Sequence, residues 1–434
     1  MSLNPSSTGS IRRVSGEPVQ ALAVWLAGAQ AGDLLLVDFP LRQWWLPEPA
    51  EQALVAIYSR RRDGDYECTV AETVDTAAQG QLAELGLGPW ADRQGLPLFQ
   101  PGQPLVLSPV HIPKPWGQEI WFTGAEERGL CRFSDGRHAV PIPWLQALFP
   151  AAQAGEPDSP LVLLKILDPA PQEVTGDLYF ELHEEKREVY VVTHVDRNAW
   201  PDGVGAIRYG FDPAKLRAAG SEEVFRQHYL AAVQAYEAVR REIDGLPEGA
   251  AAGEALRQRE EALRAAMNAF TAMRELRVGD VVVVPLLMPH SLQHGVRTIE
   301  FQTPVYERQI LSFAQKVLTQ DHWDTAAAVG RMRLTPPVDD HFSVLPAPPG
   351  VTVERIVDFP DFEVRRVSLA PGAALAVECG QGYQLLMVVA GELALGEALI
   401  GPEQGALLPR GGQFSLAHPD PSRPLVLLLA EPRR

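Results

Sequence analysis

The stretch GDLYFELHEEKREVYVV, residues 176–192, decides the fold of this chain. Apolar and polar side chains alternate along it, which is typical of strands with one buried face. Alternate side chains of a strand share a face, so Glu181 and His183 point the same way. A short turn separates them from Glu188, which opens a second strand and is expected to lie opposite His183 in an antiparallel pair. The stretch therefore predicts three oxygen and nitrogen donors close together.

A second stretch, VGDVVVVPLLMPHSLQHG at residues 278–295, supplies a fourth donor. Its glycine–aspartate pair predicts a turn, its valines a strand, and its prolines another turn that ends at His290. Two histidines and two carboxylates suit Zn²⁺, Mn²⁺, Fe²⁺, Co²⁺ or Ni²⁺ and not an ion that prefers thiolates. We therefore expect one divalent metal ion, zinc before the others. Its expected ligands are Glu181, His183, Glu188 and His290.

The composition limits what the protein can bind. The 434 residues carry 38 Lys and Arg against 55 Asp and Glu, which gives a formal net charge of −17 at pH 7. Such a charge repels nucleic acids and anionic membrane surfaces, so neither is expected as a partner, whereas a small anionic substrate needs only a local basic pocket. Cys68, Cys131 and Cys379 are far apart and show no CxxC spacing, which predicts neither a disulfide framework nor a thiolate zinc site.

The location and assembly follow from the same composition. The first 15 residues are polar and are expected to form a disordered tail without the apolar core of a signal peptide. The apolar stretch at 19–31 is too short to span a bilayer. We therefore expect a cytoplasmic protein that acts on a small molecule, as a monomer or a small homo-oligomer.

Changes in the spacing of apolar residues along the chain indicate how it is divided into domains. Residues 1–105 mix helix and strand signals and do not indicate a role. Residues 106–335 have strand patterns on both sides of a helical insertion at about 213–275, where apolar residues recur at helical spacing. A proline-rich linker, 334–349, precedes a series of short strands in 350–434. We expect a metal-binding β-barrel before the linker and a second β-barrel after it.

The spacings G-x4-E-x-H-x4-E and G-x5-P-x4-H of the two metal segments resemble the two motifs of the cupin superfamily. Further segments resemble, in their order along the chain, the type I mannose-6-phosphate isomerases. They are IPKPWGQEIW (112–121), LVLLKILDPA (161–170), KREVYVVTHVD (186–196), AIRYGFDPAKLR (206–217) and IEFQTPVYERQI (299–310). The resemblance implies a mainly β fold of two cupin-type (jelly-roll) β-barrels with an α-helical insertion. This chain would add an N-terminal α+β extension to that fold.

The resemblance also implies an activity, the metal-dependent interconversion of mannose 6-phosphate and fructose 6-phosphate through an enediol. Arg308 matches the family's catalytic arginine, and Lys186 matches the lysine two residues before its glutamate ligand. Lys165 matches a lysine near the substrate phosphate. Trp116 and His294 are expected at the substrate pocket.

The sequence departs from the family at several positions. Glu181 stands where the family has a glutamine ligand, and the added carboxylate is expected to hold the metal more tightly and make it a weaker Lewis acid. Tyr179 stands where the family has a serine. In the C-terminal barrel, Gln384 and Phe414 stand where a glutamate and a histidine would bind metal. That degenerate barrel is expected to serve packing or oligomerisation.

Two other functions stay open at this point. One is a metal-dependent cupin enzyme of another class, such as an Fe²⁺ oxygenase, which consumption of O₂ would reveal. The other is a non-catalytic sugar-binding cupin. The absence of Lys186 and Arg308 from the pocket would favour that binding role.

Overall fold

The computed structural model describes residues 9–150, 153–247, 249–337, 342–396, 398–420 and 422–433. Strands outnumber helices in each part of the chain, which confirms the mainly β fold class. No helix within these ranges is long and apolar enough to cross a membrane.

The N-terminal part combines a sheet with helices. Its elements are β1 (Ile11–Ser15), α1 (Pro18–Leu26), β2 (Leu34–Arg42), β3 (Glu51–Arg60), β4 (Tyr66–Ala71), α2 (Thr76–Leu85), α3 (Leu87–Gln94), β5 (Leu105–Ser108), β6 (Val110–Lys114), β7 (Gly117–Trp121), β8 (Ala125–Glu126), β9 (Gly129–Leu130), β10 (Arg132–Ser134), β11 (Ala139–Pro141) and α4 (Ile142–Gln146). β1 pairs in parallel with β2, so the prediction of a disordered tail is wrong for residues 11–15. Residues 1–8 of that predicted tail lie outside the described part.

The middle part carries the two metal segments. Its elements are β12 (Leu163–Pro169), β13 (Phe180–Leu182), β14 (Glu188–Val195), β15 (Gly205–Phe211), α5 (Pro213–Ala218), α6 (Glu222–Asp244), α7 (Glu254–Asn268), β16 (Thr271–Leu276), β17 (Val281–Val284), β18 (His290–Leu292), β19 (Val296–Gln302), β20 (Gln309–Ser312) and α8 (Thr325–Ala328). Helices α5 to α7 confirm the helical insertion predicted at about 213–275, although its last residues form β16.

The C-terminal part consists of strands. They are β21 (Ser343–Leu345), β22 (Val351–Asp358), β23 (Phe362–Leu369), β24 (Ala374–Glu378), β25 (Gln384–Ala390), β26 (Leu393–Leu395), β27 (Ala398–Ile400), β28 (Gly405–Leu408), β29 (Gln413–Ala417) and β30 (Leu425–Pro432). Within the predicted linker, residues 338–341 lie outside the described part, and β21 occupies a portion of the remainder.

Contacts divide the chain into two compact units. The first falls within residues 1–110, 121–163 and 342–434, and the second within 111–120 and 164–341. This division differs from the predicted domain boundaries, because β5 pairs with the C-terminal strand β28, and β10 and β11 extend the same sheet from β5. They belong to a nine-stranded sheet of the first unit with the order β11–β10–β5–β28–β25–β30–β23–β22–β21.

The first unit also contains two four-stranded sheets. The sheet β1–β2–β3–β4 packs one apolar face on α2 and α3, with Leu36, Ile57, Leu82 and Trp90 in its core. The sheet β24–β29–β26–β27 shares an apolar core with strands of the nine-stranded sheet, in which Phe414 takes part.

The second unit is built from two sheets. The strands that belong to each sheet differ from the predicted strand pairing. One has the order β17–β14–β19–β12–β7–β6 and the other β16–β15–β18–β13–β20. β14 pairs with β17 and β19, whereas β13 pairs with β18 and β20. The predicted antiparallel pair of the strands that carry His183 and Glu188 is therefore wrong. The turn between them takes the chain from one sheet to the other, so the two side chains meet between the sheets.

The helical insertion covers the five-stranded sheet. Phe225, Tyr229, Val233 and Tyr236 recur at helical spacing on α6 and are fully buried. The ring of Phe211, at the end of β15, lies 5.3 Å from Phe225 and 4.9 Å from Tyr229. This apolar contact fixes the sheet from the helix side and leaves its other face to the metal segments.

Gly176 lies in the turn that leads into β13, where a side chain has no room. A Cβ at this position would lie 1.8 Å from the carbonyl oxygen of Ala170 and 2.8 Å from the Cβ of His294. Because backbone would have to move, we expect Gly176→Ala to lower the free energy of unfolding by about 1–3 kcal/mol. Chemical denaturation measures the change.

Gly80→Ala is the matched control, because a Cβ there meets nothing within 4 Å. Gly80 lies inside α2, where alanine is favoured over glycine, so this variant is expected to be at least as stable as the wild type. Equal destabilisation of both variants would contradict the close approach at Gly176.

Candidate metal centre

Three side chains of the second unit direct ligand atoms to one point. Glu181 on β13 and His290 on β18 are paired directly across the five-stranded sheet. His183 follows β13 by one residue, so it shares the face of Glu181. One ligand atom from each side chain lies within 4.8 Å of the other two, and no second group of this kind occurs in the described part of the chain.

The hydrogen bonds of the two histidines define which ring nitrogen faces the centre. Nδ1 of His183 lies 3.0 Å from the carbonyl oxygen of Glu307, and Nδ1 of His290 lies 2.9 Å from that of Met288. A carbonyl only accepts, so both Nδ1 atoms donate, and in the neutral ring the lone pair is on Nε2. Both lone pairs are thus directed away from the backbone and toward the carboxylates.

Glu188, on the opposite sheet, contacts both rings. One of its oxygens lies 3.0 Å from Nε2 of His290, and the other lies 3.4 Å from Nε2 of His183. The same carboxylate accepts a hydrogen bond from the Tyr190 hydroxyl at 2.6 Å and forms an ion pair with Lys186 at 2.7 Å. Glu188 therefore contacts both histidines, while the ligand atoms that lie within 4.8 Å of one another belong to Glu181, His183 and His290. The four predicted ligands are called the metal-ligand cluster below: Glu181, His183, Glu188 and His290.

A cation fits this donor set. Nε2 of His183 and Oε2 of Glu181 are buried and have no hydrogen-bond partner among the described residues. Buried donors or acceptors without a partner cost free energy, and carboxylate oxygens beside imidazole lone pairs repel each other. A divalent metal ion between them removes both penalties, and two nitrogens with carboxylate oxygens are ligands that zinc accepts. Glu188 differs from the other three because its oxygens already contact Lys186 and Tyr190.

The pKa shifts favour the metal-binding forms of His183 and Glu188, whereas that of His290 favours the protonated ring as long as Glu188 is its partner. Burial lowers the pKa of His183, and the Lys186 ammonium lowers it further. Burial also acts to lower the pKa of His290, but the hydrogen bond with Glu188 outweighs it and the pKa is raised. Burial opposes ionisation of Glu188, yet Lys186 and the histidines hold its pKa well below the usual value. A neutral imidazole and an ionised carboxylate are the forms that bind metal.

Arg308 lies at the edge of the metal-ligand cluster. Its guanidinium is 4.0 Å from Glu181, donates to the Thr319 hydroxyl at 3.0 Å, and stacks over the Tyr179 ring at 4.4 Å. Its side chain is 23% exposed, so it is open to a ligand. Tyr179 therefore positions the arginine.

A second set of buried charges crosses the six-stranded sheet and is called the buried charge chain: Lys114, Glu119, Lys165 and Glu300. Lys165 on β12 contacts Glu300 on β19 at 3.3 Å and Glu119 on β7 at 3.9 Å. Glu119 also contacts Lys114 at 3.2 Å. Burial raises the pKa of Glu300 well above its usual value, despite the neighbouring Lys165 ammonium. Glu300 is paired with Tyr190 across the sheet, so the buried charge chain adjoins the metal-ligand cluster.

Two predicted substrate residues lie in other surroundings. Trp116 is 1% exposed and belongs to the apolar core of the second unit. Nδ1 of His294 donates a hydrogen bond to Asp177 at 2.8 Å, and its ring stacks on Trp200 at 4.8 Å between centroids. Among the described residues, no contact joins His294 to the metal-ligand cluster. Their roles at a substrate therefore stay predictions.

Several side chains at the centre were missed by the sequence reasoning. Tyr190 and Glu300 stand in apolar strands, and a polar residue in such a strand is a signal that could have found them. Lys114 and Glu119 flank a turn and resemble surface charges in the sequence. Glu307 acts through its backbone oxygen on His183 and through its carboxylate on two backbone N–H groups, which no side-chain pattern reveals.

Known structures resemble this architecture, although no protein-family model and no curated protein matches the sequence. Mannose 6-phosphate isomerase from Bacillus subtilis matches with a TM-score of 0.55 and 15% identity, over 76% of this chain and 99% of that chain. A mutant phosphomannose isomerase from Salmonella typhimurium matches with a TM-score of 0.54 and 12% identity, over 76% and 100%.

A zinc-bound holo mannose 6-phosphate isomerase gives a TM-score of 0.55 at 12% identity, again over 76% of this chain and 100% of that one. The chain has the fold of the mannose 6-phosphate isomerases. The resemblance predicted from the sequence is thus confirmed for the fold. Sequence identities of 12–15% show a shared fold and do not show which reaction the protein catalyses.

The C-terminal strands differ from the strands that carry the metal-ligand cluster. Gln384 on β25 is buried, and Phe414 on β29 packs in an apolar cluster. Among the described residues of these strands, no group of ligands converges as it does in the second unit.

The metal site can be tested with two histidines that lie four residues apart. We expect His290→Ala to weaken metal affinity about 100-fold or more, because it removes a ligand whose lone pair faces the centre. His294→Ala is the matched control and should retain metal, since Asp177 and Trp200 hold that ring. Elemental mass spectrometry of the purified variants measures the bound ion, and full occupancy in H290A would count against the site.

The buried charge chain predicts non-additive effects on stability. Lys165→Met leaves Glu300 and Glu119 buried with one cation fewer, so we expect it to lower the free energy of unfolding by about 2–4 kcal/mol. Glu300→Gln should cost less, and the double variant should cost less than the sum of the two. Denaturation of the three variants measures the coupling. Strict additivity would show that the two side chains do not interact.

Proposed function

We propose that this chain is a metal-dependent aldose–ketose isomerase that acts on a sugar phosphate, with mannose 6-phosphate and fructose 6-phosphate as the pair. The metal-ligand cluster carries the proposal, because its buried lone pairs require a cation and it lies in the fold of the mannose 6-phosphate isomerases. We propose one divalent ion, zinc before the others, held by Glu181, His183, Glu188 and His290.

The reaction moves a proton between C1 and C2 of the sugar and develops negative charge on the carbonyl oxygen. A bound divalent ion supplies Lewis-acid polarisation at such an oxygen. Arg308, at 4.0 Å from Glu181, is proposed to stabilise the charge of the enediolate from the side. Its stacking on Tyr179 limits the directions in which it can point.

The proton transfer needs an acid–base group beside the sugar, and two residues are candidates. Lys186 is 7% exposed and lies at the cluster through its ion pair with Glu188. Glu300 has a pKa raised by burial, which suits a carboxyl that gives and takes a proton near neutral pH. We propose that Lys186 is the residue next to the sugar. We propose that Glu300 and Lys165 form a buried ion pair behind Lys186.

Three further residues, Lys165, Trp116 and His294, are proposed at the substrate pocket. Lys165 offers a cation on the face of the six-stranded sheet that Glu300 shares. Trp116 is proposed to shape the pocket wall from within the core, and His294 to lie at the rim after β18. We further propose that the two sheets of the second unit form one cupin barrel, and that the C-terminal strands form the second, without metal.

The assay is isomerisation of mannose 6-phosphate by the purified protein, with and without a metal chelator and beside a panel of other sugar phosphates. We expect activity that the chelator abolishes and added Zn²⁺ restores. Activity that is insensitive to the chelator would overturn the metal-dependent mechanism. Consumption of O₂ without isomerisation would indicate an oxygenase, and sugar binding without turnover would indicate a binding protein.

Arg308 allows a sharper test of the mechanism. We expect Arg308→Gln to lower kcat by about 100- to 1000-fold while metal content is unchanged, because the guanidinium acts on charge that develops in the transition state. Arg277→Gln is the control, since Arg277 is exposed and pairs with Glu275 at the surface. An unchanged kcat in R308Q would remove Arg308 from the mechanism.

A further inference from the structure

Two segments of the second unit cross between its sheets at the metal-ligand cluster. Residues 183–187 lead from the end of β13, in the five-stranded sheet, to the start of β14, in the six-stranded sheet. Residues 303–308 cross in the other direction, from the end of β19 to the start of β20. Neither segment belongs to a strand, so the backbone N–H groups of both need partners other than those of a β-ladder.

The two crossing segments are hydrogen-bonded to each other. Where the first segment ends and the second begins, the backbone N–H of Thr303 donates to the carbonyl oxygen of Arg187 at 3.0 Å. The backbone N–H of Arg187 donates in turn to the Thr303 hydroxyl, also at 3.0 Å. This pair of hydrogen bonds joins the segments at the end that lies next to β14 and β19.

Glu307 joins the segments at their other end, where it contacts three consecutive residues. Oε2 of its carboxylate accepts from the backbone N–H of Glu184 at 2.9 Å and from that of Glu185 at 3.2 Å. Its backbone carbonyl accepts from Nδ1 of His183 at 3.0 Å. An ionised carboxylate forms stronger hydrogen bonds with N–H groups than a neutral acceptor does. The side chain therefore fixes the turn after His183, and the backbone fixes the ring of that histidine.

We propose that Glu307 is a positioning residue for the metal ligand His183. This role rests on the proposed function, because it concerns a metal ion at the metal-ligand cluster. The carbonyl of Glu307 directs Nε2 of the ring toward the cluster only while the two segments stay together, and the carboxylate joins them at this end. Arg308 is the next residue, so the same contact also fixes the backbone from which the proposed catalytic arginine extends.

His290 provides an internal comparison, because its ring is oriented without Glu307. Its Nδ1 donates to the carbonyl oxygen of Met288 at 2.9 Å. Both rings are buried, so the Nδ1–H of each is expected to exchange slowly with solvent. Loss of the Glu307 carboxylate should therefore affect the ring of His183 and leave that of His290 unchanged. A general loosening of the second unit would affect both rings.

The first test follows the Nδ1–H signals of the two rings by NMR, in the metal-free full chain with isotope-labelled histidine. His183→Gln and His290→Gln variants assign the signals. We expect Glu307→Ala to lose the slowly exchanging signal of His183 and to retain that of His290. Glu307→Gln keeps an oxygen that can accept from the two backbone N–H groups, so it should retain both signals.

The second test measures Zn²⁺ affinity by competition with a chelator. We expect Glu307→Ala to bind Zn²⁺ about 10-fold more weakly, as is usual when a group that orients a metal ligand is removed. Glu307→Gln should recover most of that affinity. Glu185→Ala is the matched control, because it removes an exposed carboxylate from the same turn and keeps the backbone N–H. It should keep both ring signals and the wild-type affinity.

The inference would be overturned by an unchanged His183 signal or an unchanged Zn²⁺ affinity in E307A, or by loss of both ring signals in that variant. Equal losses in E307Q or in E185A would overturn it as well. The ring signals are measured without metal and without substrate. A wild-type chain that gives the expected signals and lacks isomerase activity would therefore contradict the proposed function and leave the role of Glu307 intact.

Discussion

A buried carboxylate shared by two imidazoles and an ammonium is the constraint that organises the second unit. Glu188 is 1% exposed, and a charge buried at that depth without partners costs several kcal/mol. Its partners come from three places: Lys186 and Tyr190 from its own strand or the turn before it, His183 from just after β13, and His290 from β18. The two sheets must therefore close on each other before the charge is satisfied, which couples folding of the second unit to assembly of the site.

The five-stranded sheet lies between this site and the helical insertion, because alternate side chains along its strands point to opposite faces. Glu181 and His290 face the cluster, whereas Phe180 and Ser291 face the helices. The apolar contacts of α6 fix one face, so the ligands on the other face have a rigid support. A site on packed strands keeps its geometry better than one on loops. The long helical insertion is therefore explained by its packing on the strands that carry the metal-ligand cluster.

Local patterns predict the strands, the helical insertion and the closeness of Glu181, His183 and His290, because alternation and helical spacing follow from which faces are buried. They mispredict the pairing of β13 with β14, since a short turn between two strands looks the same whether the strands join one ladder or two sheets. The division into two units differs from the predicted domain boundaries for a related reason. Val106 pairs with Ala406, and no local signal reveals a partner three hundred residues away. Glu300 and Tyr190 escaped notice because their partners are also distant in sequence.

The C-terminal strands show that the polar cluster is not needed to build such sheets. There, Phe414 packs among leucines and valines in an apolar core, and the strands close without convergent ligands. Buried ionic groups contribute little to stability compared with apolar side chains of similar volume, and leave a fold sensitive to the loss of any one partner. The second unit nevertheless keeps the metal-ligand cluster and the buried charge chain beside it. Stability does not account for these groups, whereas the proposed function, which binds a cation and moves a proton, uses them.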